Sequence, residues 1–321
     1  MFKDIIQKNV PLAPYTTYRI GGRAKYFINI DNKDILLEAL LWAKQQQLDV
    51  LVLGGGSNIL ISDNGFDGLV IKIYNTTKDI KEVDSQCLCT FGAGVPYMSA
   101  LNFMFDHNLF NLLNLIGIPG SVGGAVYGNA GVSNKETKDG IFEVRGLDYS
   151  DLGLPVWKTF NQQECNFGYR DSLFKHSPII IWEVTFIDIP QQLNKTDVQQ
   201  KISEILNNRH KSQPYMFPNA GCVFKNVNLE LFPPEIISKY NLVIKQNQNC
   251  QEVPAGFLIE QCGLKGYQIG GAQVSEKHAN FLINKNNAKS SDIYNLICYI
   301  KDVVKNRFGV NLEEEIRLIG F

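Results

Sequence analysis

No part of this sequence comes near the roughly 18 consecutive apolar residues that a membrane-spanning helix needs. Its first residues, Met1-Phe2-Lys3-Asp4-Ile5-Ile6-Gln7-Lys8, carry charges where a signal peptide has its apolar core. These two absences lead us to expect a cytoplasmic protein with no membrane partner. There is no excess of charge of either sign: the net charge is −1. A nucleic-acid binder ordinarily shows a basic surplus, so none is expected here. The four histidines lie far apart without ligand spacing, and no metal site is expected. The seven cysteines are odd in number and scattered, which reads as reduced thiols rather than a disulfide framework. Cys87 and Cys89 alternate within Gln86-Cys87-Leu88-Cys89-Thr90-Phe91, a strand pattern rather than a metal pair. There is no internal repeat, no low-complexity segment, and no Gly-Lys-Ser/Thr triplet of a nucleotide P-loop.

What remains is an ordinary globular composition spread over 321 residues, long enough for two domains. Asp34 to Gln47 has helical periodicity in Ile35, Leu36, Ala39, Leu40 and Ala43, after the polar pair Asp31-Asn32. A short buried strand, Val50-Leu51-Val52-Leu53, follows, and a second strand covers Leu69 to Ile73 after the turn Asp63-Asn64-Gly65. Tyr97 to His107 reads as a helix, Asn114 to Gly131 as a long glycine-rich loop, and Phe142–Leu147 and Ile179–Ile187 as strands. The polar stretch Pro190 to Lys195 precedes a helix from Thr196 to about Arg209, which places the domain boundary there: 1–190 and 191–321. A terminal helix is capped by Ser290-Ser291-Asp292, striped by Ile293, Leu296, Ile297, Ile300, Val303 and Val304, and ended by Gly309. The fold class is α+β.

Two glycine loops carry the ligand signal. In Leu53-Gly54-Gly55-Gly56-Ser57-Asn58, a strand runs straight into three glycines and two small polar residues. Glycine admits positive φ and close approach of backbone to a ligand, and successive amides in such a turn form a concave anion site. The usual dinucleotide fingerprint is absent: its third glycine would fall at Ile59, and no helix pattern follows. A glycine-rich turn without a ligand is the bland alternative. The second loop, Gly117-Ile118-Pro119-Gly120-Ser121-Val122-Gly123-Gly124-Ala125-Val126-Tyr127-Gly128-Asn129-Ala130-Gly131, alternates glycines with small apolar residues, which suits a backbone lying flat against a large planar or pyrophosphate-bearing ligand. Two such loops in one region point to a flavin or nucleotide site outside the Rossmann architecture.

With their neighbours these loops resemble the UDP-N-acetylenolpyruvoylglucosamine reductases (the MurB family). The matching segments are Thr16-Thr17-Tyr18-Arg19-Ile20-Gly21-Gly22, the two glycine loops, and Gly168-Tyr169-Arg170-Asp171-Ser172-Leu173-Phe174-Lys175. They continue with Asn219-Ala220-Gly221-Cys222-Val223-Phe224-Lys225-Asn226, Ala255-Gly256-Phe257-Leu258-Ile259-Glu260-Gln261-Cys262-Gly263-Leu264-Lys265-Gly266, Lys277-His278-Ala279-Asn280-Phe281, and Leu312-Glu313-Glu314-Glu315-Ile316-Arg317-Leu318-Ile319-Gly320. They span nearly the whole chain in the family's order. The chain looks like the shorter branch, lacking the tyrosine-bearing insertion.

The resemblance implies an FAD-binding domain of the vanillyl-alcohol-oxidase (PCMH) type, followed by a smaller α/β substrate-binding domain. It implies FAD as cofactor, NADPH as reductant, UDP-N-acetylglucosamine enolpyruvate as substrate, and a monomer. Leu53, Gly54, Gly55, Gly56, Ser57, Asn58, Ile118, Pro119, Gly120, Ser121, Gly123 and Gly124 are then expected at the cofactor. Arg170, Cys222 and Glu315 are expected to be catalytic, and Tyr169, Lys225, Asn226 and His278 to bind substrate. Each has a plainer reading: an ion pair of Arg170 with Asp171, a solvated Glu315, a small buried Cys222, a surface Lys225. Cys222 departs from the family, whose members mostly carry serine there as proton donor. A thiol, with an unperturbed pKa of about 8.5, gives up a proton more readily than a hydroxyl. His278 stands where some relatives have glutamine, so it is expected to hydrogen bond rather than titrate. Val132-Ser133 replaces a usual Ala-Tyr-Gly, and Tyr15 a common asparagine.

Overall fold

The structure, a computed structural model, describes residues 5–132, 135–151, 155–246 and 250–321. Ser133 and the first four residues lie outside the described residues. Two compact units emerge, and they interleave along the chain. The first is Met1–Val10, Ala24–Gly55 and Phe66–Asn207; the second is Pro11–Arg23, Gly56–Gly65 and Asn208–Phe321. A single cut at residue 190 does not describe this division. The helix that begins beyond that cut, Lys195–Ser212, lays Ile202, Ile205 and Leu206 against the first unit's core, so the break falls inside the helix. Two early segments belong to the second unit because Tyr18, Ile20 and Leu60 are buried in its core.

In the first unit, strands Arg23–Ile30 and Val50–Leu53 both pair in parallel with Phe66–Ile73. Leu69, Val70 and Ile71 on that central strand are all fully buried, the unbroken apolar run that parallel strands covered on both faces require. Helix Lys33–Gln45 makes the crossover and buries Leu36, Ala39, Leu40 and Ala43, the face its periodicity predicts. Asn32 caps it by accepting from the amides of Asp34 (2.7 Å) and Ile35 (3.3 Å). A five-stranded antiparallel sheet follows in the order Val156–Asn161, Ile141–Asp148, Ile179–Asp188, Gln86–Gly92, Lys78–Val83. Cys87 and Cys89 are buried in it, and burial pushes the Cys89 thiol up to about 12, as expected of an inert core cysteine.

The stretch from Asn114 to Gly131 is not all loop. It contains a short helix, Val122–Tyr127, whose glycines argue against a helix on propensity alone. Tertiary bonds override propensity here. Ser121 Oγ accepts from Gly124 N at the N-cap, and the amides of Val122 and Gly123 donate to Val95 O and Ala93 O, each at 2.9 Å. Gly123 itself is forced, since a Cβ there would sit 2.8 Å from the Cβ of Ala93.

The second unit is built on an antiparallel sheet in the order Asn219–Cys222, Phe281–Asn284, Ala272–Val274, Gln268–Ile269. Helix Ser290–Phe308 buries Ile293, Leu296, Ile297, Ile300 and Val304, and ends at Gly309 with φ 72°. Asp292 takes the Lys289 amide at 3.0 Å, while Ser290 exchanges two 2.8 Å bonds with Asp63. Strand Arg317–Ile319 pairs in parallel with Ile59–Ile61. Among the described residues no helix is long and apolar enough to cross a membrane.

Inside this core the phenol oxygen of Tyr18 is fully buried and lacks a hydrogen-bond partner among the described residues. An unmade buried bond costs about 1–3 kcal/mol. Tyr18→Phe should therefore leave the thermal midpoint unchanged or raise it by a few degrees. A fall of several degrees on thermal unfolding would show that the hydroxyl has a partner.

Candidate active site

The two glycine loops meet within the first unit. Strand Val50–Leu53 ends on buried Leu53, and Gly54 and Gly55 then run against the second loop. A Cβ on Gly55 would lie 2.5 Å from the Cα of Gly120, and one on Gly54 would lie 2.7 Å from Ser121 Oγ. Gly120 has φ +110° and Gly117 +88°, backbone that side chains rarely adopt. Lys72, half-buried, places its ammonium on the Gly54 carbonyl, and burial lowers its pKa. The remainder of the first loop, Gly56, Ser57 and Asn58, belongs to the second unit. Gly56 has φ +66° and leaves no room for a Cβ, which would fall 1.9 Å from Tyr15 O.

Arg170 sits in a tight turn closed by the Gly168–Asp171 bridge, with its own φ at +54°. A non-glycine residue held there is strained, and such strain persists only when neighbours over-determine it. They do so. Lys175 Nζ holds the Arg170 carbonyl, Ser172 Oγ donates to Tyr127 O (2.7 Å), and buried Asn129 donates to Gly168 O (2.8 Å) and Glu136 Oε2 (3.0 Å). The guanidinium donates to Gly131 O at 2.7 Å, lies 4.0 Å from Glu136, and packs over Tyr169 at 5.2 Å. The plain reading of Arg170 as the partner of Asp171 fails, because Asp171 pairs with His176 at 2.9 Å. Burial alone would raise the Asp171 carboxyl; the His176 bond, the Ser172 amide and nearby positive charge outweigh it and hold the pKa low.

In the second unit, residues 222–225 lie alongside 313–315. Glu315 N donates to Val223 O (2.7 Å), Lys225 N donates to Glu313 O (2.9 Å), and Phe224 bridges Glu314. Cys222, half-buried, ends strand Asn219–Cys222 just beyond Gly221, whose φ is +78°. Asn280 fixes the far side of this segment. It is buried, accepts from Phe224 N (3.0 Å), donates to Phe224 O (2.8 Å), and receives Val223 N on its own carbonyl (2.8 Å). Lys225 pairs with Glu313, and Lys301 with Glu314. The Asn58 side chain donates to the Glu315 carbonyl at 3.1 Å.

Asn226 has its amide oriented by accepting from Ala255 N (3.4 Å) and donating to buried Glu252 (3.2 Å). His278 Nδ1 takes the Asn280 amide at 3.2 Å, which puts the ring proton on Nε2. Burial first, then Lys245 and Lys265, lower its pKa against the opposing pull of Glu260, so the imidazole is neutral at pH 7 and acts as a hydrogen bonder. Gly256 makes room for it: a Cβ there would meet His278 Cε1 at 3.2 Å.

Residues 24–150 match the model of the FAD binding domain, and residues 213–319 that of the UDP-N-acetylenolpyruvoylglucosamine reductase C-terminal domain. The UDP-N-acetylenolpyruvoylglucosamine reductase of Synechococcus sp. (strain JA-3-3Ab) is 37% identical over 98% of this chain and 91% of its own. That of Chlamydia felis (strain Fe/C-56) is 34% identical over 100% and 96%. The chain belongs to the UDP-N-acetylenolpyruvoylglucosamine reductase family. The crystal structure of the reductase (MurB) from Thermus caldophilus superimposes with a TM-score of 0.73 at 28% identity, covering 98% of each chain.

Membership in this reductase family makes the chain an FAD-dependent oxidoreductase, and the first unit's residues fit the cofactor. Gly54, Gly55, Gly120 and Gly124 leave backbone bare of side chains where the two loops meet. The amides of Val122, Gly123 and Gly124 are already spent on Val95, Ala93 and Ser121, so these three are not open to a ligand. Asn129, Glu136, Asn280 and Glu252 were not legible as site residues. Buried polar residues that clamp a functional turn leave no spacing signal in a sequence.

Gly55→Ala should lose bound FAD and cost about 1–3 kcal/mol, because its new carbon meets backbone that cannot move. Gly54→Ala, which meets a rotatable hydroxyl, should cost less. Cofactor content after gel filtration and thermal unfolding check the order. For His278, the unfolded chain takes up a proton near pH 6.5 while the folded chain resists it, so stability falls as pH drops below that value. His278→Gln should shrink the loss of thermal midpoint between pH 7.5 and 5.5. An unchanged loss would mean that other groups carry it.

Proposed function

We propose that this chain is a cytoplasmic, monomeric enzyme that uses NADPH to reduce the enolpyruvyl ether of UDP-N-acetylglucosamine enolpyruvate to UDP-N-acetylmuramate, for peptidoglycan precursor synthesis. The observation that carries this reading is the ladder that sets Cys222-Val223-Phe224-Lys225 beside Glu313-Glu314-Glu315, which joins two of the family's segments in one place.

When bound, FAD would supply the two-electron chemistry by which NADPH reduces the enol ether, whose β-carbon gains the hydride. Negative charge then builds at the α-carbon and its carboxylate, and it must be countered where it forms. Arg170 is the cation for that task, held rigid by Gly131, Glu136 and the stacked ring of Tyr169. Glu315 shares a hydrogen with the developing charge. Cys222 delivers its Sγ proton to the α-carbon, and water then reprotonates the sulfur. Tyr169, Lys225, Asn226 and His278 hold the sugar nucleotide. In this role Lys225 exchanges the largely exposed Glu313 for a phosphate or carboxylate, at little cost for a surface pair. Neutral His278 donates from Nε2. Leu53 to Asn58 and Ile118 to Gly124 hold FAD.

An anaerobic visible spectrum tests the reading. The purified protein should be yellow, bleach on adding NADPH, and recolour on adding UDP-N-acetylglucosamine enolpyruvate. Bleaching without recolouring would discard the sugar nucleotide. Cys222→Ala should slow recolouring at least a hundredfold while bleaching stays fast; equal slowing of both halves would remove Cys222 from proton delivery.

A further inference from the structure

One lysine breaks the apolar run of the first unit's central strand. In Leu69-Val70-Ile71-Lys72-Ile73 every other residue is buried, and Lys72 itself is half-buried, in register with Leu53, the last residue of strand Val50–Leu53. Taking an ammonium out of water is costly unless a charge or a dipole receives it. Among the described residues no carboxylate pairs with Lys72. Its ammonium donates instead to the carbonyl of Gly54 and stands 6.0 Å from the centre of the Tyr74 ring. A carbonyl and a ring receive the charge without cancelling it, so a positive charge stays beside the start of the first glycine loop.

The same bond orients a peptide. The Gly54 carbonyl and the Gly55 amide belong to one trans peptide unit and point in opposite directions. With the carbonyl turned to Lys72, the Gly55 N–H points away from it. Gly55 is exposed, and its amide donates to no acceptor among the described residues. We infer that Lys72 is a positioning residue for FAD: through the Gly54 carbonyl it aims the Gly55 amide at the cofactor's phosphates, and it backs that amide with a positive charge. This rests on the placement of FAD at Leu53 to Asn58 proposed above. A lysine serving the fold alone would be a poor choice here, since an apolar side chain of equal length would fill the space without the cost of desolvation.

The test uses the full-length protein, freed of FAD and titrated with it while flavin fluorescence is followed. Lys72→Met should raise the FAD Kd about tenfold. The thermal midpoint of the FAD-free protein should stay within about two degrees or rise, because an apolar chain replaces a desolvated ammonium. Lys72→Arg, which keeps the charge and a donor, should hold the Kd within about threefold of the parent. If Lys72→Met does not fold, Lys72→Leu carries the same measurement. A Kd within about twofold of the parent in the apolar variant would overturn the inference. So would a rise in Kd that arginine does not restore and that comes with a fall of several degrees in the FAD-free midpoint, since a purely structural tie behaves that way. Gly55→Ala separates the two levels. If it keeps FAD at parental affinity, the first glycine loop does not hold the cofactor, and the placement of FAD falls together with the role of Lys72. If it loses FAD while Lys72→Met keeps it, only the role of Lys72 falls.

Discussion

The backbone of Gly55 lies so close to that of Gly120 that a single carbon between them would stand 2.5 Å from Cα. This approach settles much of the first unit. For the loops to touch, strand Val50–Leu53 must end where it does, and Gly120 must turn at φ +110° to bring Ser121 to the cap of the following helix. That helix in turn spends its first amides on Val95 and Ala93, which ties it to the end of strand Gln86–Gly92. Side chains excluded from the contact leave bare backbone, and bare backbone is what a large planar cofactor can approach. In the function proposed above, the same contact serves both folding and cofactor binding, so relaxing one would harm the other.

The second unit solves a different problem: holding short irregular segments in register without long strands. Asn280 does this by pairing both main-chain groups of Phe224, as a neighbouring strand would. Asn129 plays the same part in the first unit, where it clamps the turn before Arg170. Each is buried, and each spends both ends of its amide on the site. Buried amides are costly unless satisfied, but once satisfied they fix one conformation. Strained backbone at Arg170 is tolerated because this clamp leaves it no alternative.

These features explain what could be read in advance. Helix Lys33–Gln45, strand Val50–Leu53 and helix Ser290–Phe308 announce themselves, since apolar periodicity and local caps act within a few residues. Helix Val122–Tyr127 does not, because its stability comes from carbonyls nearly thirty residues away while its glycines weigh against it. The interleaving of units was equally hidden. Nothing local in Thr16 to Gly22 says that Tyr18 and Ile20 are buried with residues some two hundred positions on. Motifs point to candidate site residues but not to their supports: Asp171 pairs with His176, five positions along, rather than with the adjacent Arg170.

Three consecutive glutamates show how context separates identical residues. Glu313 is largely exposed and pairs with Lys225, a bond that exposure makes weak and exchangeable. Glu314 bridges Phe224 through its backbone and meets Lys301 at 2.8 Å, which serves the terminal helix. Glu315 is half-buried and held by its peptide groups between Val223 and Asn58. Side-chain pairs tie Glu313 and Glu314 to Lys225 and Lys301, while backbone bonds tie Glu315 to the segments at 58 and 223. Identical residues in one run therefore take different supports, and those of the Glu315 backbone come from residues 58 and 223 rather than from its neighbours.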